Sequence, residues 1–317
     1  MICRRKAIGA GLDMLMRATV RSGCYNVRVH VPDTFELATD EVAIEVLPEL
    51  GARVHSIRAF GYEMLRTPLD PEAHAIHPFT WGGYHMVPWP NRVDAGPQPV
   101  LGETVDLRAN HTDGTAIHGM HYVSAWEPAD HDTYQVSGGG AGTGWPWEYD
   151  AAVRFAVEGS TVTIAYALTN TSDRTMPGGV GFHPWFRTPS AVGIPAAVAF
   201  PDNTDTAVRP DPVEGALDRR TPRPLDVGVD ACWVDLAEPA VTLAWDDLGV
   251  GLTMSADDPA IVAVAAHLPD IDAVAVELQT SAPAGIRRLL NAEGHGLRAL
   301  APGETLALEL TLAFTHP

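Results

Sequence analysis

The sequence predicts an all-β chain folded as an antiparallel sandwich or barrel, and three observations carry that expectation. Apolar residues alternate with the period of a strand wherever the chain is periodic at all. Helical periodicity is almost absent after residue 25. Turn signals recur about every ten residues, in keeping with 29 Gly and 26 Pro among 317 residues.

Each element follows from local pattern. In "EVAIEVLPELGARVHSI" the residues Val42, Ile44 and Val46 alternate inward, as a half-buried strand requires. "AVRFAVEGSTVTIAYALTN" reads as a hairpin. Val153, Phe155 and Val157 alternate, Glu158, Gly159 and Ser160 turn, and Val162, Ile164, Tyr166 and Leu168 alternate back. Residues 187–230, rich in Pro and Asp, are expected to be a long irregular excursion rather than a domain boundary. "AVAVELQT" at 273–280 puts Val274, Val276 and Leu278 on a core face and Ala275, Glu277 and Gln279 on the other. The closing "TLALELTLAF", after a Pro302-Gly303 turn, is a long strand with Leu306, Leu308, Leu310, Leu312 and Phe314 on one face. No internal repeat or linker divides the chain, so residues 26–317 are expected to form a single domain. Residues 1–25 are expected to be a disordered or mis-started leader. Arg4, Arg5 and Lys6 resemble a signal-peptide start, but Asp13 and Arg17 interrupt the apolar run that should follow.

Composition excludes several function classes. A net charge of -19 argues against nucleic acid or an acidic membrane surface as partner, since both demand a basic footprint. No apolar run reaches the roughly 18 residues of a spanning helix. Cys3, Cys24 and Cys232 are odd in number and far apart, which suits a reducing cytoplasm better than a disulfide framework.

Thirteen histidines call for sorting. His118 and His121 in "IHGMHY" have a spacing zinc could use, but no further ligands accompany them, so no metal is expected. "GGGAGTGWPW" lacks the Lys and helix start of a phosphate loop and reads as a plain loop. A more coherent set is Arg92 in "PWPNRVDAG", His118 in "TAIHGM", His183 in "GFHPWF" and Glu277. They supply a guanidinium, two imidazoles and a carboxylate, among Trp81, Trp89, Trp145, Trp147 and Trp185. Aromatic faces cover the C–H surface of a pyranose while polar groups fix its hydroxyls, so the set fits a sugar site.

At these residues the chain resembles the aldose 1-epimerases, or galactose mutarotases. Asn91-Arg92 is similar to the family's "NR" motif, Ile117-His118-Gly119 to its "LHG", and His183 to Phe186 to its histidine-aromatic motif. Glu277 in "VELQT" resembles its "ETQ" strand, and Asp230 in "VDACW" the aspartate of its "D-H-x-F" element, with Asp226 a neighbouring alternative. The motifs fall in family order across residues 35 to 315. Phe182 and Pro184 depart from the Asn and small residue that flank the histidine in the best-known members.

The resemblance implies a β-supersandwich of the galactose mutarotase-like kind, a large twisted antiparallel sandwich. It implies Glu277 as base and His183 as acid, with Arg92, His118 and Asp230 holding the sugar. Asn91, Gln279 and Trp185 are expected as further substrate contacts. The implied reaction is exchange of α and β anomers of a free aldohexose by ring opening, without cofactor or metal, in a cytoplasmic monomer or homodimer. A hexose-6-phosphate mutarotase would add basic residues such as Arg66, Arg92 and Arg187. A glycosidase would pair Glu277 with Asp230, and a binding module of the same fold would have no need of an acid-base pair.

Overall fold

The computed structural model describes residues 2–6, 34–268 and 270–316. Of the leader expected over residues 1–25, Ile2–Lys6 is an edge strand paired with Thr34–Ala38, and the remainder lies outside the described residues. No helix among the described residues is long and apolar enough to cross a membrane.

Two large antiparallel sheets make the body of the molecule. Among the described residues the first has twelve strands. Its centre runs Val42–Leu47, Arg53–Ala59, Gly83–Met86, Gly181–Arg187, Ala273–Gln279, Val262–His267, Asp230–Leu236 and Ala196–Phe200 in spatial order. The second has eight, with Tyr149–Glu158, Thr161–Asn170, Thr305–Thr315 and Val250–Ala256 at its middle. The predicted hairpin forms as read, since Val157 pairs with Val162 across the Gly159-Ser160 turn. The closing strand pairs with both Thr161–Asn170 and Val250–Ala256. Its alternation puts every predicted leucine inside.

One apolar cluster fills the space between the sheets. Phe182, Phe186, Val274, Val276 and Leu278 enter it from the first sheet, and Phe155, Ile164, Tyr166, Leu308 and Leu310 from the second. Strand period then fixes the rest, because neighbours of core residues must point to the outer face of the first sheet. His183, Trp185, Ala275 and Glu277 are those neighbours. The excursion over 187–230 is more ordered than its composition suggests, holding Ala191–Gly193, Ala196–Phe200 and Asp211–Pro212 as strands. Pairing with Asp230–Leu236 and Ala240–Trp245 supplies the order that local pattern lacks.

Candidate active site

A row of side chains crosses the outer face of the first sheet. His183 is paired in register with Tyr84, and Glu277 with Val264. The pairs Phe182–Leu278 and Trp185–Ala275 bracket His183 and Glu277 across the shared ladder. Residues directly opposite in a ladder bring their side chains together. His183 Nε2 accordingly lies 3.1 Å from Glu277 Oε1. Glu277 is 2% exposed and His183 5%.

The pair is walled by rings. Tyr84 stacks on His183 at 4.4 Å, His118 meets it edge-on at 5.0 Å, and Trp185 lies 5.3 Å away. Phe79 covers His118 and Tyr122, and its carbonyl accepts the Trp185 Nε1 hydrogen bond at 2.6 Å. His118 adopts the left-handed φ of 59°, followed by Gly119 at 76°. A Cβ on Gly119 would stand 1.9 Å from the Val87 carbonyl oxygen, so only glycine fits the turn that aims His118 inward.

Arg92 forms the other side. Its Nε donates to Asp113 at 2.8 Å and its Nη2 to Asp230 at 3.3 Å. Asn91, at a φ of 58°, accepts from the Arg92 amide at 2.7 Å and donates to Asn203 at 2.9 Å. Asparagine tolerates that left-handed backbone better than most residues, which suits it to this corner. Asp113 also meets His111 and accepts from Thr115. Burial alone would raise the Asp113 carboxyl, but bonds from Thr115, Arg92 and His111 together hold it well below the usual range.

Burial governs the central pair. It pushes the Glu277 carboxyl well above its ordinary value, with Asp230 adding to the effect and Arg92 opposing it. It pulls the His183 imidazole down to about 3, aided by the charges of Arg53 and Arg92. Each group is therefore driven toward its neutral form, the opposite of the charged carboxylate and protonated imidazole that a base and an acid present in water at neutral pH. The reason is desolvation, which penalises both ions.

Several buried polar atoms around the pair have no hydrogen-bond partner among the described residues. They are Glu277 Oε2, His183 Nδ1, His118 Nδ1, Tyr84 Oη and both amide atoms of Gln279. Orphaned groups of this kind are rare in folded interiors and signal a missing polar partner.

The expected residues Glu277, His183, His118, Arg92, Asp230, Asn91 and Trp185 are thus brought together by the contacts above, and Gln279 shares their strand face. Asp226 is elsewhere, half out in solvent and paired with Arg219 at 3.2 Å. The aromatic set is smaller than composition suggested. Trp89, Trp145 and Trp147 are packed in the central core, Trp89 stacking on Trp145 at 4.9 Å. Their apolar area is consumed by folding rather than offered to a ligand. Ser124 and Tyr149 sit on the two ring nitrogens of His121, each at 2.9 Å. Tyr84, Asp113, Asn203 and Arg53 escaped the sequence reading. Asp113 had a weak signal in the turn "HTDGT", and the others had none outside the tertiary pairing.

The fold is that of the galactose mutarotase-like β-sandwiches. The chain belongs to the aldose 1-epimerase family, whose model matches residues 33–313. A structure from Escherichia coli, provisionally described as an aldose 1-epimerase, is 20% identical. It aligns over 90% of this chain and 99% of its own with a TM-score of 0.77. A galactose mutarotase-like protein from Clostridium acetobutylicum aligns at 16% identity, 90% and 96% coverage and a TM-score of 0.79. The aldose epimerase homologue from C. elegans gives 15%, 89%, 98% and 0.73. At such identities the likeness is one of fold. Among curated proteins no significant sequence match is found.

Proposed function

We propose that this protein is an aldose 1-epimerase that interconverts the α and β anomers of a free aldohexose. The observation that carries the reading is the contact of Glu277 and His183 at 3.1 Å, buried beneath a set of unpartnered polar atoms. A sugar's hydroxyls are the kind of group that would satisfy them.

Glu277 removes the proton from the C1 hydroxyl as His183 delivers one to the ring oxygen. The C1–O5 bond breaks and the open aldehyde forms. Rotation about C1–C2 presents the other carbonyl face, and reversal of both transfers closes the ring. The pair needs one transferable proton for this. In the desolvated site that proton rests as carboxylic acid plus neutral imidazole, which is also the state that accompanies the open chain. Sugar hydroxyls donating to Glu277 Oε2 favour the carboxylate and the imidazolium that start the reaction. No redox step is required, since ring opening itself creates the carbonyl. Arg92, His118, Asp230, Gln279 and Trp185 hold the sugar in this reading, and Asn91, its amide spent on the Arg92 backbone and Asn203, fixes the corner that presents Arg92.

A free sugar is favoured over a sugar phosphate by the surroundings of Arg92. Two carboxylates already bridge it, and Asp202, held low chiefly by Thr204, lies within its field. Arg187 is paired with Asp247. Arg66 is the best remaining phosphate contact, resting 3.4 Å over the Trp81 ring and donating to the Thr80 carbonyl. Against a pure binding module stands the acid-base pair itself, which binding does not need.

Polarimetry of freshly dissolved α-D-glucose and α-D-galactose tests the reading. Faster relaxation with wild type and not with Glu277→Gln supports it. Silence with both sugars and response to hexose 6-phosphates would transfer the assignment to the phosphosugar reading, and silence with all would leave a binding module.

A further inference from the structure

Behind His183 lies a charge that neither substrate contact nor sheet pairing explains. Arg53 is 0% exposed, and no carboxylate pairs with it among the described residues. Lys, Arg, Asp and Glu are almost never fully buried unless paired. Its guanidinium instead donates to three backbone carbonyls, those of Trp81, Pro78 and Tyr122, each at 2.9 Å. It also packs against the Tyr84 ring, 4.8 Å from the centroid, and that ring is stacked on His183. Burial draws Arg53 down only to about 10, so it remains charged at neutral pH.

We propose that Arg53 is a positioning residue for the acid-base pair. Its three carbonyl bonds hold the segments that carry Phe79 and Tyr122 against the site, and its charge stands behind His183 across the Tyr84 ring. The inference rests on the reading of His183 as the acid. A cation at that position disfavours the imidazolium and makes it a stronger proton donor to the ring oxygen. The Tyr84 ring touches both the guanidinium, on one side, and the His183 ring.

The charged and titratable groups facing His183 are few. Glu277 approaches from Ala273–Gln279, with Asp230 beyond it on the next strand but one. His118 lies at the ring's edge, Arg92 acts from across the site, and Tyr84 and Arg53 come from the strands on the other side. Only Arg53 among them has no opposite charge or ligand-facing role to account for its burial.

Two variants separate charge from scaffolding. Arg53→Lys keeps the cation but loses the fork of carbonyl bonds; Arg53→Met keeps volume and loses the charge. The acid limb of the kcat/KM profile for mutarotation should stay in place in Arg53→Lys while KM rises. In Arg53→Met it should move up by about one pH unit. Equal movement in both variants, or none in a folded Arg53→Met, would overturn the proposal. A second readout needs no turnover. The His183 ring carbon, assigned by its loss in His183→Gln, is followed by carbon NMR in histidine-labelled protein. It should stay neutral well below the free value of about 6.5 in wild type and Arg53→Lys and titrate higher in Arg53→Met. Should Arg53→Met fail to fold, titration of His183 near that free value in wild type still sinks the idea. A chain inactive on every sugar would defeat the proposed reaction while leaving the NMR result to stand on its own.

Discussion

Glu277 is a buried carboxyl, and in the proposed reaction that gives it two separable effects. As proton acceptor it is expected to supply a factor of about 10² to 10⁴, so Glu277→Gln should lose that much kcat with sugar affinity nearly intact. As a buried acid its pKa is raised on folding, so its contribution to stability is present below the unfolded value and lost as pH rises through the folded one. Glutamine reproduces the neutral acid. Glu277→Gln should therefore melt at or above wild type at pH 8, and a lower melting temperature there would contradict the burial argument. Asp113 acts one step further out, through the Nε of Arg92. Asp113→Asn keeps the shape and removes the charge, and a roughly tenfold rise in KM with kcat little changed is expected from a weakened charge-assisted bond. Steady-state polarimetry separates the two parameters. An unchanged KM would mean that Asp230 alone fixes Arg92.

Strands and turns place these groups with little slack. Gly181–Arg187 serves two masters, since Phe182 and Phe186 enter the core while His183 and Trp185 face the site. Phe182→Ala should cost about 3–5 kcal/mol in urea unfolding and disturb His183 as well, because the cavity lies directly behind it. Retained activity at full stability would show that the strand is pinned elsewhere. The His118-Gly119 turn is the less forgiving element. Gly119→Ala meets both a φ of 76° and the Val87 carbonyl, so a loss of about 3 kcal/mol and a displaced His118 are expected. The expected residues on strands and turns were legible because period two and short motifs are local. Tyr84 was not, since nothing in "WGGYHM" distinguishes a ring that stacks on a histidine from one that fills a core.

At the scale of the molecule the buried histidines set the response to acid. His85 and His121 are each drawn down to about 4 by burial. His85 is held between the Ala52 carbonyl and the Tyr166 hydroxyl, between the two sheets. A histidine lowered on folding leaves the unfolded chain with more bound protons between the two pKa values. Stability is therefore whole above about 6.5 and lost as pH falls toward 4, at up to about 1.4 kcal/mol per pH unit for each such group. Glu63 and Glu277, raised by burial, act in the opposite sense. Urea midpoints from pH 7 to 5 should fall in wild type and fall less in His85→Gln, and an equal slope in the two would mean that the His85 ring is not held neutral by burial. What the sequence by itself determined was the all-β class, the strand faces and the motif residues Asn91, Arg92, His118, His183, Trp185 and Glu277, because alternation and short motifs are local properties of a chain. Tertiary structure decided the rest. Which tryptophans are spent on the core, which of Asp226 and Asp230 reaches Arg92, and what lies behind His183 depend on pairings between segments tens to hundreds of residues apart. Burial, which sets the protonation of the central pair, exists only once both sheets have closed.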